Sequence, residues 1–156
     1  MKDLCESILP LHLDAATRKG IDLGLEAEPA QASGYEWLLR ELLGNLVDNA
    51  VKYTPAGGTV TIRCGPITGS GSQPDSGHPR WGVFLEVEDN GPGIAPEERG
   101  KALERFYRVL GTVGEGNGLG LAIASEIARV HRSQLELDDA VTDASGPRGL
   151  RVRLSL

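Results

Sequence analysis

Five polar residues recur at helical spacing within positions 35–53, and their types suit a metal–phosphate site: Glu41, Asn45, Asp48, Asn49 and Lys52. At about 100° per residue they share one face of a predicted helix. Asparagine is a poor helix former because its side-chain amide competes for backbone hydrogen bonds. The presence of both Asn45 and Asn49 therefore indicates that something outside the helix binds them. Two amide oxygens and a carboxylate can hold a hard divalent cation, and a lysine can meet the phosphates that accompany it. An ordinary solvated face is the alternative that this stretch leaves open.

Two turns elsewhere in the chain could complete such a site. Asp89-Asn-Gly-Pro-Gly93 follows a predicted strand, where a fixed carboxylate is a good partner for an exocyclic amine such as that of adenine. By itself this turn could equally be a plain turn. Gly116-Asn-Gly-Leu-Gly120 directly precedes a predicted helix, whose first backbone N–H groups can cradle phosphates.

Two familiar phosphate-binding loops do not fit the second turn. In a dinucleotide-binding turn that starts at Gly116, the third glycine position holds Leu121. That interpretation would use Asp138 or Asp139 for a ribose, and it leaves Asn45, Asn49 and Asp89 without a role. A Walker A loop is absent, since no Gly-Lys-Ser/Thr follows any glycine-rich stretch.

Composition predicts one globular domain. The 156 residues are 40% hydrophobic and 24% charged, and the net charge of -6 argues against a nucleic-acid binder. Cys5 and Cys64 lack metal-ligand spacing, which suits a reducing cytosol. No apolar run is long enough to span a bilayer, and no signal peptide is evident.

Apolar periodicity predicts helices over 1–19, 35–53, 96–105 and 119–130, with Pro10 kinking or splitting the first. Alternation predicts strands over 21–27, 59–64, 82–88, 134–137 and 150–156. The last helix is expected to bury Leu119, Ile123, Ile127 and Val130. Residues 65–80 are rich in Gly, Ser and Pro, which predicts a long flexible hairpin loop. The expected fold is an α/β (α+β) two-layer sandwich: a mixed, mostly antiparallel sheet with about three helices on one face.

Taken in order, four segments resemble the motifs of the ATP-binding catalytic domain of sensor histidine kinases, a branch of the GHKL superfamily with the Bergerat fold. Residues 45–53 resemble the N box, 89–93 the G1 box, 104–108 the F box and 116–123 the G2 box. The resemblance covers nearly the whole chain from about Ile21. It divides the chain into a helical linker (1–19) from a dimerisation and phosphoacceptor domain and a catalytic domain (20–156) with an ATP lid at 94–115.

The resemblance implies ATP and Mg²⁺ as ligands. Asn49, assisted by Asn45, would coordinate Mg²⁺, and these residues with Lys52 would form the catalytic set. Asp89 would accept from the adenine amino group, and Phe106 would anchor a mobile lid. The full set of implied nucleotide-binding residues is Asn45, Asn49, Lys52, Tyr53, Asp89, Gly91, Gly93, Ile94, Phe106, Arg108, Gly116, Asn117, Gly118, Leu119, Gly120 and Leu121.

Asn45 separates kinase from hydrolase within this superfamily. The hydrolase branches carry a glutamate four residues before the metal asparagine, where it activates water, and an amide cannot act as that base. The γ-phosphoryl group is then kept for another acceptor, a histidine in this family. His12, His78 and His131 all lie outside an acceptor motif. The chain is therefore expected to be an isolated domain, soluble and monomeric, that phosphorylates a partner in trans.

The expected partners are a His-bearing dimerisation domain and a response regulator. The domain would be cytoplasmic, and its parent a homodimer anchored in the bacterial inner membrane. Two alternatives remain open at this point: a nucleotide-binding interaction module that transfers nothing, and a serine kinase of the anti-sigma type.

Overall fold

The computed structural model describes residues 1–67, 82–108, 117–143 and 146–156. Its elements run in the order α1 (Lys2–Lys19), β1 (Asp22–Ala27), α2 (Glu36–Tyr53), β2 (Thr59–Ile67), β3 (Gly82–Asp89), α3 (Pro96–Ala102), α4 (Gly120–Val130), β4 (Leu135–Asp143) and β5 (Gly146–Ser155). The predicted loop at 65–80 and the lid segment at 109–116 fall largely outside the described residues.

The five strands form one mixed sheet in the order β1-β2-β3-β5-β4. β1 pairs with β2 in parallel, and the other three pairs are antiparallel. The predicted mixed, mostly antiparallel sheet is confirmed.

Helices α1, α2 and α4 cover one face of this sheet and share its core. The spacing of apolar residues predicts a buried stripe on α2 from Leu38 to Val51. Leu38 is half-buried, and the other seven residues of the stripe are buried, from Leu39 to Val51. α1 contributes Leu4, Cys5, Ile8 and Ala16 to the same core, so it packs as part of the layer.

The other face of the sheet carries a row of alternating charge across all five strands. Register places Glu26 opposite Arg63, Arg63 opposite Glu86, Glu86 opposite Arg153, and Arg153 opposite Glu136. Arg63 lies 2.7 Å from Glu26 and 3.6 Å from Glu86. Such cross-strand pairs stabilise a sheet whose second face has no helical cover among the described residues.

Pro10 does not split the first helix, so that part of the expectation is wrong. A proline in a helix leaves the carbonyl four residues earlier without its donor. That residue is Glu6, and both Glu6 and Pro10 are exposed, so water can satisfy the carbonyl. α1 therefore continues unbroken from Lys2 to Lys19.

The predicted core face of α4 is also wrong in part. Ile123 and Val130 are 38% and 55% exposed, whereas Ile127 is buried together with Ala122, Ala124 and Ala128. Mostly small side chains face the core because α4 packs directly on α2, and Ile123 and Val130 lie at the rim.

Three strands are longer than alternation indicates, and one of them, β5, begins at Gly146 rather than at Leu150. β2 continues through Gly65, Pro66 and Ile67, which the composition had assigned to the loop. β4 continues past Leu137 to Asp143, because Asp138 pairs in register with Arg151 and Asp139 with Leu150 on β5. Within the described ranges, no helix is long and apolar enough to cross a membrane.

Candidate functional site

An open cavity lies where the end of α2, the turn after β3 and the start of α4 meet. Its polar lining includes Asn49, Lys52, Asp89, Arg108 and Asn117. Apolar and backbone surface completes the wall, contributed by Leu46, Ala50, Tyr53, Val87, Pro92, Gly93, Ile94, Ala102, Tyr107, Gly118, Leu119, Gly120, Leu121, Leu150 and Val152. A concave apolar space with a few convergent polar groups is the usual form of a small-molecule site.

The polar stripe of α2 divides between this cavity and other contacts. Asn49 and Lys52 line the cavity, whereas Asn45 does not. The Asn45 amide donates to the Glu41 carbonyl oxygen at 2.8 Å and to its Oε1 at 3.3 Å. Asp48 faces α1, with its Oδ1 2.9 Å from His12 Nδ1. The polar face of α2 thus contacts both the cavity and α1, and residue spacing alone could not reveal this division.

Asp89 is the last residue of β3 and is 8% exposed. Its Oδ1 accepts from the Gly91 N–H at 2.8 Å and from the Leu150 N–H at 3.4 Å. The described residues supply no hydrogen-bond donor to Oδ2, although Asp89 lines the cavity. One carboxylate oxygen is thereby held by the protein, and the other can serve a ligand.

Burial raises the pKa of Asp89 from its ordinary value of 3.8 to about 6, although the two backbone N–H groups act in the opposite direction. Desolvation disfavours the ionised form, and the nearby Glu88 carboxylate adds to the effect. Perturbed carboxyl groups in clefts are typical of functional sites.

This shift predicts a pH dependence of stability. A carboxyl group whose pKa is higher in the folded state stabilises the fold fully below its unfolded pKa, and that contribution is lost as pH rises through the folded pKa. At Asp89 the loss therefore falls between about pH 4 and pH 6, and it amounts to at most about 3 kcal/mol. Urea unfolding of wild type and Asp89→Asn from pH 4 to 7.5 measures it. We expect the variant to gain relative stability as pH rises, whereas a constant difference would contradict the assignment.

Gly149 holds this turn in place, and no sequence pattern had singled it out. Its φ is +73°, and its N–H donates to the Gly91 carbonyl oxygen at 2.9 Å. A Cβ at Gly149 would overlap the Asp89 carbonyl oxygen, and a Cβ at Gly93 would come within 2.8 Å of the Gly149 carbonyl oxygen. The turn and β5 thus meet backbone to backbone, where glycine is required.

The start of α4 lies directly against α2. A Cβ at Gly120 would come within 2.8 Å of the Asn49 Nδ2 atom, so this glycine lets the helix approach the amide. Gly118, with φ of +66°, meets the backbone of Phe106 and Tyr107, and its carbonyl accepts from the Phe106 N–H at 2.9 Å. The first turn of α4 is thereby fixed beside Asn49.

Phe106 contacts Gly118 through its backbone, just before α4 begins. The side chain is 73% exposed, and the residue has a φ of +64°. Neither Phe106, Asn45 nor Gly91 lines the cavity, and Gly116 lies outside the described residues. The remaining predicted binding residues do line it: Asn49, Lys52, Tyr53, Asp89, Gly93, Ile94, Arg108, Asn117, Gly118, Leu119, Gly120 and Leu121.

The lining residues that sequence reasoning missed are mostly apolar: Leu46, Ala50, Val87, Pro92, Ala102, Tyr107, Leu150 and Val152. On sequence they look like ordinary core or surface positions. Leu46, Ala50, Pro92 and Tyr107 lie inside the motifs named above, and that position was the signal that could have found them. For Leu150 the signal would have been the pairing of β5 with β3, in which Arg151 lies opposite Glu88 and Leu150 therefore lies beside Asp89.

Comparison with known proteins gives consistent matches. A family model described as "Histidine kinase-, DNA gyrase B-, and HSP90-like ATPase" matches residues 34–156. Sensor protein kinase PmrB of Pseudomonas aeruginosa is 37% identical over 154 residues, which cover 98% of this chain and 29% of PmrB. The chain therefore spans less than a third of that relative.

Solved structures match over nearly the whole chain. The mycobacterial sensor histidine kinase MprB is 31% identical with a TM-score of 0.73, covering 97% of this chain and 93% of that one. Full-length ShkA in complex with AMPPNP is 26% identical with a TM-score of 0.72, covering 98% of this chain and 29% of ShkA.

Proposed function

This chain belongs to the family of histidine kinase-, DNA gyrase B- and HSP90-like ATPases, and we propose that it transfers the γ-phosphoryl group of Mg-ATP to a histidine on another domain. It is homologous to the ATP-binding catalytic domains of sensor histidine kinases. The observation that carries the proposal is the composition of the cavity. A buried carboxylate, an amide, a lysine and the first turn of a helix all line one space.

These groups support one orientation of ATP in the cavity. The adenine amino group would donate to Asp89, among the apolar side chains of Ile94 and Leu150. The phosphates would lie at the start of α4, where free backbone N–H groups and the helix dipole favour anions. Lys52 lines the same cavity and would supply a point charge to the phosphate oxygens.

The donor set also fits Mg²⁺, with Asn49 as its protein ligand. Mg²⁺ prefers oxygen ligands and keeps several waters, so one amide oxygen together with phosphate oxygens is a sufficient set. Bound there, Mg²⁺ would neutralise charge on the phosphates. Asn45 was predicted to assist, but it lies outside the cavity lining, where its Nδ2 atom donates to Glu41. We therefore propose Asn49 as the ligand from this chain.

A kinase fits better than a hydrolase because of the charges in the cavity. Among the described lining residues, Asp89 is the sole carboxylate, and its Oδ1 is committed to backbone N–H groups. A general base must reach the attacking water beside the γ-phosphate, and Asp89 is assigned to the adenine end. Positioning and charge neutralisation would then provide most of the catalysis.

The acceptor would belong to another domain. His12 is buried with its Nδ1 against Asp48, and His131 accepts from the Tyr35 N–H while its Nδ1 contacts the Ile127 carbonyl oxygen at 2.8 Å. Both imidazoles are engaged in the fold. We propose that the parent protein is a homodimer anchored in the inner membrane. Its dimerisation domain would supply the acceptor histidine and pass the phosphoryl group to a response regulator.

Mixing this domain with a separate acceptor-histidine domain and γ-labelled Mg-ATP tests the proposal. We expect an acid-labile phosphorylated acceptor. We also expect Asn49→Ala to reduce labelling by more than about 100-fold, because the metal and the phosphates lose their protein ligand. Acid-stable label would indicate a serine kinase, and nucleotide binding without labelling would indicate an interaction module; either result would overturn the proposal.

A further inference from the structure

We propose that Arg99 is a positioning residue, which holds the adenine end of the cavity in shape by fastening α3 to the edge strand β4. This inference rests on the proposed function, because it assumes that an adenine nucleotide occupies the cavity. Arg99 itself does not line the cavity.

Arg99 uses all three of its nitrogen atoms. Nε donates to the Ile94 carbonyl oxygen at 3.1 Å, and Nη2 donates to Asp139 Oδ1 at 2.6 Å. Nη1 lies 3.9 Å from Asp138 Oδ1. The Arg99 side chain is 18% exposed and that of Asp139 is 28% exposed, so water screens this pair less than it screens a surface pair. A planar guanidinium with several partners in fixed directions holds geometry better than a single charge would.

The partners of Arg99 lie directly behind two walls of the cavity. Ile94 is itself a lining residue. Asp139 pairs in register with Leu150, which also lines the cavity and whose N–H donates to Asp89 Oδ1. Arg99 therefore connects the Ile94 wall to the Leu150 wall.

The same contact fixes α3, whose last residue, Ala102, is a buried part of the cavity wall. The carboxylates of Asp138 and Asp139 both lie near Arg99, and without a cation two carboxylates at such a distance repel each other. Arg99 on Asp139 and Arg151 on Asp138, at 3.4 Å, give each carboxylate a cation. This accounts for Asp138 and Asp139, which the proposed reaction leaves without a role.

Binding of adenosine, ADP and Mg-ATP by calorimetry tests the inference. If Arg99 shapes the adenine end, Arg99→Met should weaken all three ligands by the same factor, about tenfold. Lys52→Met should instead cause a loss that grows with the number of phosphates. Arg129→Met is the matched control, since Arg129 pairs with Glu126 at 3.0 Å on the exposed side of α4 and should leave binding unchanged.

A charge reversal provides a second readout that a simple loss of stability would not produce. Arg99→Asp should weaken adenosine binding, and adding Asp139→Arg should restore part of it. If Arg99→Met fails to fold, Asp139→Asn replaces it in the test, because this variant keeps the hydrogen bond from Arg99 to the Ile94 carbonyl oxygen. Asp139→Asn should weaken the binding of all three ligands by one common factor, which is smaller than that of Arg99→Met. Wild-type binding by Arg99→Met, a loss that grows with phosphate number, or no restoration in the double variant would overturn the inference. If the wild type itself bound no adenine compound, the proposed function would fail instead.

Discussion

Replacing Asp89 with asparagine is expected to abolish nucleotide binding while leaving the domain folded. The carboxamide oxygen of the variant can still accept from the Gly91 and Leu150 N–H groups that Asp89 Oδ1 now satisfies. The carboxamide nitrogen then replaces the ligand-facing oxygen and presents a donor to the adenine amino group, which is also a donor. A site that loses such a bond and leaves buried polar groups unpaired binds more than about 100-fold more weakly.

Although nucleotide binding should be lost, the folded state of Asp89→Asn should be at least as stable as that of wild type. Because ionised Asp89 is unfavourable in its buried site at neutral pH, the asparagine variant should unfold at the same or a higher temperature than wild type. Thermal unfolding with and without Mg-ATP at pH 7.5 measures both effects, since a bound ligand raises the melting temperature. Asp22→Asn, at an exposed position on β1, is the matched control and should retain the full ligand response. A ligand response in Asp89→Asn equal to that of wild type would refute the adenine assignment.

Gly149→Ala is expected to destabilise the domain by about 3–5 kcal/mol, as severe backbone and packing conflicts do. Two effects add at this position. The φ of +73° is unfavourable for alanine, and the new Cβ would overlap the Asp89 carbonyl oxygen, so the turn that carries Asp89 must move. Urea unfolding measures the loss, and any variant protein that remains folded should bind Mg-ATP weakly.

Gly57→Ala separates the two effects. Gly57 has a φ of +77°, but nothing lies within 4 Å of a Cβ built there. Alanine at Gly57 should therefore cost about 1 kcal/mol for its backbone conformation alone. Equal losses in the two variants would show that the contact between Gly149 and Asp89 is not what demands glycine.

The layered fold and the long helix α2 could be predicted because local periodicity decides them. Seven buried residues of α2 follow its apolar stripe, and four ordered motifs indicated the family that the comparisons show. The Asp89 turn could also be predicted, since a carboxylate and two glycines after a strand form a local pattern.

What could not be predicted depends on contacts between distant segments. Gly149 matters because β5 brings it against Asp89, 60 residues earlier in the chain. Asn45 turns to Glu41 and leaves the cavity to Asn49, although the two asparagines share a helix face. The core face of α4 consists largely of alanines because α2 lies close to it. A hydrophobicity pattern favours large apolar residues as core positions and therefore misses these alanines. The flexible loop expected within residues 68–81 and the part of the ATP lid expected at 109–116 stay predictions, since these residues lie outside the described structure.

The most direct measurement is a crystal structure of this domain grown with Mg²⁺ and the non-hydrolysable nucleotide AMPPNP. The adenine amino group should lie within hydrogen-bonding distance of Asp89, and the triphosphate should lie at the start of α4, beside Asn49 and Lys52. Nucleotide bound at another surface, or a cavity without nucleotide at saturating concentration, would contradict the account.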